Sequence, residues 1–162
     1  MPKTIVINGL SQENITQAIK EVRQYKEWVL RKEEELRVRL AAVGATVASI
    51  QFSRAIYSGS NDVSVRVDNT GSVAVIYAEG EAVAFIEFGA GDRYGHGHPQ
   101  AGELGMGPGT YPSEKGLWNN PKGWWYGNSQ HTYGNPPAMA MYQAVQAMTE
   151  QITSIAREVF RG

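Results

Sequence analysis

Apolar positions in the first third of the chain recur at intervals of three and four residues, or multiples of them, beginning at Ile15. This spacing places them on one face of a helix, in a narrow stripe close to a heptad repeat. Ser11 precedes the stripe as a candidate N-cap, and Gly44 falls inside it. The pattern predicts helix over residues 11–57, with a kink or a brief break near Gly44. The stripe comprises Ile15, Ile19, Val22, Val29, Leu36, Leu40, Val43, Val47 and Ile50.

Charged residues crowd the other faces of this predicted helix, and Lys26 and Glu33 interrupt the stripe itself. Such a charge pattern is typical of a solvated face that carries i,i+4 ion pairs. A helix that lines a subunit interface or a channel is the alternative interpretation.

The period changes to two after this helix, which indicates strands rather than helix. The alternation starts at Val63, passes hairpin residues 68–71 and resumes on a return strand. Residues 82–88 are interpreted as a third strand. The pattern predicts an antiparallel β-meander of three to four strands over residues 62–88, with one face on the helices.

The last part of the chain again has helical spacing. Asn135 is a candidate N-cap, and the two prolines that follow it suit the first turn of a helix. We expect a C-terminal helix over residues 136–160 that packs on the sheet through apolar positions such as Met141 and Met148. The chain is therefore predicted to be one α+β domain over residues 1–162.

A long glycine-rich and aromatic segment, residues 89–134, separates the meander from the C-terminal helix. Glycine and proline recur every few residues, so no helix or strand is expected to run far. Ordering roughly 45 residues costs about 1–2 kcal/mol of backbone entropy for each residue. The total is larger than the free energy that burial of the tryptophans of the segment can contribute. We expect the segment to be ordered against the body of the domain, a neighbouring subunit or a ligand.

Composition narrows the function classes. The 162 residues carry a net charge of −1, which gives no indication of nucleic-acid or acidic-membrane binding. No cysteine is present, so disulfides and thiolate metal sites are excluded. The chain shows neither a signal peptide nor an apolar run approaching ~20 residues, so we expect a soluble, non-secreted protein with no membrane partner.

The aromatic segment contains all the histidines of the chain, and two kinds of chemistry follow from that. His96, His98 and His131 could together bind zinc in a hydrolase, although the helical His-Glu-x-x-His pattern is absent. Alternatively, Trp118, Trp124 and Trp125 could form a stacking platform for a glycan. Anchoring of the segment, or a protein interface, is the more common use of such residues.

Six short motifs together carry a resemblance to a known family. They are Asn61-Asp-Val-Ser-Val, Phe85-Ile-Glu-Phe-Gly-Ala-Gly91, His96-Gly-His-Pro-Gln, Gly107-Pro-Gly-Thr-Tyr-Pro, Gly123-Trp-Trp-Tyr and His131-Thr-Tyr-Gly-Asn-Pro-Pro-Ala-Met-Ala-Met. From about Glu35 to its end, the chain resembles proteins of the head–tail junction of long-tailed phages and prophages. The likeness is to the small neck or tail-completion proteins typified by the tenth gene product of a lambdoid phage.

The resemblance implies a non-enzymatic virion protein without a cofactor, made in the host bacterial cytoplasm. It implies a homo-oligomeric ring, a hexamer, between the head connector and the tail tube, with DNA passing through the lumen without sequence recognition. A tail terminator at the top of the tail tube is the alternative position. The family offers no catalytic residues to carry over.

A ring requires one patch of each subunit to contact a different patch of the next. The aromatic segment is the predicted subunit interface, and Glu87 and Gly89 are predicted to position it, Glu87 by accepting backbone N–H bonds. The predicted interface residues are Tyr94, Tyr111, Trp118, Trp124, Trp125, Tyr126 and Tyr133.

Overall fold

The computed structural model describes residues 4–5, 9, 11–91, 93–94, 97–106, 121–126 and 130–161. The predicted α+β class is confirmed: a long N-terminal helix and a C-terminal helix accompany two small antiparallel sheets, each of two strands. In chain order the elements are α1 (Gln12–Arg54), β1 (Ser64–Asp68), β2 (Val75–Glu79), α2 (Val83–Phe88), β3 (Trp124–Tyr126), β4 (Gln130–Thr132) and α3 (Ala140–Arg161).

Helix α1 runs for 43 residues without the break expected at Gly44. Ser11 caps it as predicted, accepting a hydrogen bond from the Asn14 amide at 3.2 Å. A Cβ at Gly44 would lie 2.5 Å from Ile76 Cδ1 and 2.7 Å from Met148 Sδ. A glycine at this position lets the β1–β2 hairpin and α3 approach α1 closely. Its cost in helix propensity is about 1 kcal/mol relative to alanine.

Strands β1 and β2 form the predicted first hairpin, with Val67 opposite Ile76. Its turn is fastened to α1 by Arg37, whose guanidinium donates to the carbonyls of Gly71 and Ser72, each at 3.0 Å. The hairpin is thereby fixed along the middle of α1.

The prediction of a third strand at residues 82–88 is wrong, because Val83–Phe88 is the short helix α2. A short apolar run cannot be assigned to strand or helix from periodicity alone. The Asp62 carboxylate fixes the start of this helix, since it accepts from the amides of Glu81 at 2.7 Å and Ala82 at 3.0 Å. The hydrogen bond from the Ala82 amide, and after it that from the Glu81 amide, lowers the pKa of Asp62 below its ordinary value of 3.8.

Helix α3 runs antiparallel to α1 and also meets the sheet, as predicted. Phe160 contacts Trp28 edge to face, with ring centroids 5.8 Å apart. Met148 of α3 and Ile76 of β2 both lie against Gly44 of α1. The helix begins at Ala140, four residues later than the predicted start. The buried core that joins α1, α2 and α3 consists of Ala48, Phe52, Ala82, Ile86, Ala140 and Ala144.

The segment predicted as a loop over residues 89–134 contains the second hairpin, with Trp125 of β3 opposite His131 of β4. Within the described residues, no helix has the length and apolarity that crossing a bilayer requires.

Candidate functional site

The two ends of the aromatic segment meet at a backbone bridge between Ala90 and Asn135. The amide of each donates to the carbonyl of the other at 2.9 Å. The Asn135 side chain donates to the carbonyl of Phe85 at 2.8 Å, so the residue is held by α2 and is not the N-cap predicted for the C-terminal helix. The chain therefore leaves and re-enters the body of the domain at one fixed point.

Gly89 lies where this bridge forces two backbone segments together. Its φ of +77° is in the region that favours glycine. A Cβ there would lie 2.8 Å from the nitrogen of Pro137 and 3.0 Å from the carbonyl oxygen of Asn135. Any side chain would push the Asn135–Pro137 segment away from α2, which gives Gly89 a structural reason for its place.

Glu87 occupies the space behind the bridge and is only 4% exposed. Its carboxylate accepts from the amides of Met141 at 2.9 Å and Tyr142 at 3.1 Å, in the first turn of α3. A carboxylate is favourable there because the first amides of a helix lack partners and carry partial positive charge. Glu87 therefore caps a helix that begins 53 residues later in the chain.

These backbone donors belong to α3, whereas the predicted role of Glu87 concerned the aromatic segment. The segment reaches Glu87 through a side chain: His98 Nε2 lies 3.1 Å from Glu87 Oε1. His98 is 7% exposed and packs between Phe88, with ring centroids 4.5 Å apart, and Tyr142, at 5.7 Å. We call Glu87, His98, Phe88 and Tyr142 the Glu87 cluster.

The hydrogen bonds assign the tautomer of His98. The amide of Gln100 donates to its Nδ1 at 3.1 Å, so Nδ1 carries no proton. Nε2 must then carry the proton and donate it to Glu87. Glu87 thus accepts three N–H groups as a carboxylate, and His98 fastens the start of the aromatic segment to α3.

A second set of rings lies on the exposed face of the β3–β4 hairpin. Trp125 meets His131 edge to face at 5.0 Å, and His131 meets Tyr133 in the same way at 4.9 Å. The Arg93 guanidinium lies over the Tyr133 ring, 5.2 Å from its centroid. Trp125 is 63% exposed and Tyr133 is 48% exposed. We call Trp125, His131, Tyr133 and Arg93 the aromatic ladder.

The hairpin that carries the ladder is anchored by Thr132, which sequence reasoning missed. Its buried Oγ1 lies 2.9 Å from Ser58 Oγ and accepts from the amide of Gly134 at 3.0 Å. Arg93 and Tyr142 were missed as well. No periodicity marks these residues, because their partners are brought to them only by the fold.

Other predicted interface residues lie in several places. Trp124 is half-buried, and its ring approaches Gly91. Tyr94 is partly exposed beside the turn that its amide closes on Gly91. Tyr126 is described only through its backbone, which pairs with Gln130. Tyr111, Trp118 and His96 lie outside the described residues.

The zinc hypothesis required three histidines. Two of them have other contacts: His98 pairs with Glu87 in the interior, and His131 lies in the ladder. Among the residues that the structure describes, no three His, Asp or Glu side chains are grouped so that they could hold a metal ion.

Comparison of the chain with models of protein families, with curated proteins and with solved structures finds no match.

Proposed function

We propose that the protein is a structural, non-enzymatic component of the head–tail junction of a tailed phage. It is made in the host cytoplasm and assembles into a homo-oligomeric ring, a hexamer, between the head connector and the tail tube. DNA passes through the lumen without sequence recognition. The motif resemblance suggests this position, and the aromatic ladder is the observation that carries the assembly mechanism.

The ladder has the properties of a protein interface. Tryptophan, tyrosine and arginine are the residues that contribute most binding energy at such surfaces. Here they are largely exposed. Trp125 sits on a hairpin that is tied to the domain at Thr132, and Tyr133 and Arg93 lie close to the Ala90–Asn135 bridge in the chain. A surface held in place before contact loses little conformational entropy on binding.

In a ring each subunit offers this face to a different surface of its neighbour or of an adjoining junction protein. Burial of the Trp125 ring would then seal the joint around the DNA passage. A tail terminator would use the same face at the top of the tail tube, so imaging must decide between the two positions.

The test replaces Trp125 by alanine in a phage or prophage that carries this gene. Because the ring is already exposed, we expect the purified variant to fold normally, whereas joined particles should fall by about 30-fold or more if the residue contributes at least ~2 kcal/mol per contact. The readouts are infectious titre and electron microscopy of heads and tails. Tyr77→Ala, which removes an exposed ring from β2, is the matched control and should leave titre unchanged.

Normal titre for Trp125→Ala would overturn the role of the ladder. Intact particles without density for this protein at the junction would overturn the proposed function. Genes for a terminase, a portal and a tail-tube protein beside this one would support the proposed function, and this is the simplest check.

A further inference from the structure

The first hairpin has two free edges. It is a two-stranded sheet, and among the described residues no backbone hydrogen bond joins β1 or β2 to a third segment. Such an edge presents unpaired N–H and C=O groups to any further strand. Proteins often protect an edge with proline, lysine or a bulge, but β1 contains neither residue and pairs with β2 in an unbroken register. The edge of β1 is therefore unprotected.

The edge of β1 is also the more accessible of the two. On the β2 side, Met148 of α3 and Ile76 of β2 both lie against Gly44, so α3 runs beside that strand. On the β1 side, an open cleft of about 250 Å³ separates the strand from α1. The two serines on the α1 wall of this cleft are small and exposed, which leaves room for an added strand. The described residues that line the cleft are Ser49, Phe52, Ser53, Asn61, Val63 and Val65.

A strand-forming run precedes α1 in the sequence. Residues 4–8 read Thr-Ile-Val-Ile-Asn, so all but the last are β-branched, and Gly9 completes a turn signal that ends the run. The two isoleucines, Ile5 and Ile7, would share one face of such a strand. Residues 6–8 lie outside the described part of the chain, and no described strand includes the other two.

This run cannot reach the hairpin of its own chain. The hairpin lies along α1 between Arg37, which donates to its turn, and Phe52, whose carbonyl accepts from Asn61. Arg37 lies roughly 38 Å from Gln12, the first residue of α1, at a rise of about 1.5 Å per residue. Residues 4–11 span at most about 29 Å even when fully extended. The run is therefore available only to the hairpin of another copy.

We propose that residues 4–8 of one copy add as a strand to the free edge of β1 in a neighbouring copy. The backbone ladder supplies the affinity, and Ile5 and Ile7 pack into the cleft between β1 and α1. The contact is heterologous, because the run and the edge are different surfaces of one chain, and α1 is the spacer that holds them apart. The inference rests on the ring assembly proposed above and identifies one of its contacts.

A mixing experiment on purified full-length chains tests this contact. The double substitution Val6→Pro and Ile7→Pro disrupts the added strand, because consecutive residues direct their N–H groups to opposite edges and one proline must remove a ladder donor. The double substitution Ser49→Arg and Ser53→Arg fills the cleft. Each variant alone should associate at least about tenfold more weakly than the natural chain in sedimentation velocity. Mixed together, they should form dimers and nothing larger, since one chain keeps the edge and the other keeps the strand.

Each double variant has a matched control. Val6→Ile with Ile7→Val keeps the strand-forming pattern and should associate like the natural chain. Thr149→Arg with Ser154→Arg adds the same two charges to an exposed part of α3, where both hydroxyls donate to a carbonyl of the preceding turn, as that of Ser53 does. This variant should also associate normally, and circular dichroism should show that all the variants are folded.

Disulfide trapping provides a second readout, because the chain has no cysteine. Val6 would project from the outer face of the added strand, as the exposed Ser64 and Arg66 do from β1. Val6→Cys chains mixed with Ser64→Cys chains, or with Arg66→Cys chains, should be oxidised by diamide to a linked heterodimer in at least one of the two mixtures. Val6→Cys chains mixed with Ser154→Cys chains should give no such product.

A natural chain that is monomeric and gives neither linked heterodimer would overturn the inference. Association that survives the two prolines would also overturn it, and would point to the aromatic ladder as the contact. Absence of the protein from intact particles would overturn the proposed function but would leave the result of the mixing experiment unchanged.

Discussion

His98 and His131 have similar ring neighbours and very different surroundings. Each lies between two aromatic rings, Phe88 and Tyr142 for the first, Trp125 and Tyr133 for the second. His98 is buried and donates to a carboxylate, whereas His131 is exposed on a hairpin.

The difference shows that residue type alone does not distinguish a structural site from a binding surface. In the Glu87 cluster the hydrogen-bonding groups of His98 are used internally, which fixes its ring and stabilises the fold. In the aromatic ladder the rings contact one another but leave much of their surface in water. The cluster therefore supports the domain, and the ladder is available to a partner.

Glu87→Ala should have the largest effect on stability. It leaves the amides of Met141 and Tyr142 and the Nε2 proton of His98 without an acceptor in the interior. We expect the free energy of unfolding to fall by roughly 3–5 kcal/mol, measured by urea denaturation. As a control, Glu103→Ala removes an exposed carboxylate from the aromatic segment, and it should change the free energy of unfolding by less than about 0.5 kcal/mol. A loss below about 1 kcal/mol for Glu87→Ala would contradict the capping role.

The two histidines offer the direct comparison. His98→Ala removes a buried ring and one hydrogen bond of Glu87, so the free energy of unfolding should fall by roughly 2–4 kcal/mol. His131→Ala removes an exposed ring and should change it by less than about 1 kcal/mol. Thermal and urea unfolding of both variants measures the difference. Equal losses would show that the ladder is as much a part of the fold as the cluster.

Asp62→Asn should have the smallest effect, and it depends on pH. Like Glu87, Asp62 accepts two backbone amides near the start of a helix, but it is exposed. Folding lowers the pKa of Asp62 below 3.8. The contribution of its carboxylate to stability is therefore fully present above the unfolded pKa of 3.8, and it is lost as the pH falls through the lower pKa of the folded state. The variant should melt below the natural chain at neutral pH, and the two melting curves should converge in acid. A gap that stays constant with pH would contradict this account.

The sequence predicted the elements that depend on local pattern. The stripe from Ile15 onward specified α1, the alternation at Val63 specified the first hairpin, and Ser11 was correctly assigned as a cap. These features are set by residues three, four or two apart, so periodicity detects them.

The errors share a different cause, which is contact between distant parts of the chain. Residues 82–88 were assigned to a strand, but they form the helix that turns Ile86 and Glu87 into the interior. Asn135 was assigned as a cap, but it is held by the bridge to Ala90, and Glu87 caps α3 instead. The interface role of the aromatic residues stays a prediction, as does the positioning role of Glu87 and Gly89 for the segment.

The bridge between Ala90 and Asn135 has a consequence for how such a chain can be altered. Since the polypeptide departs and returns through one pair of mutual hydrogen bonds, lengthening the excursion adds only about 0.6 kcal/mol of closure entropy for each doubling of its length. Exchange of the part between the His98 and Thr132 contacts for an unrelated peptide should leave the three helices and the first hairpin in place, because the contacts that hold them lie outside it. The same framework could therefore display many different recognition sequences between these two contacts.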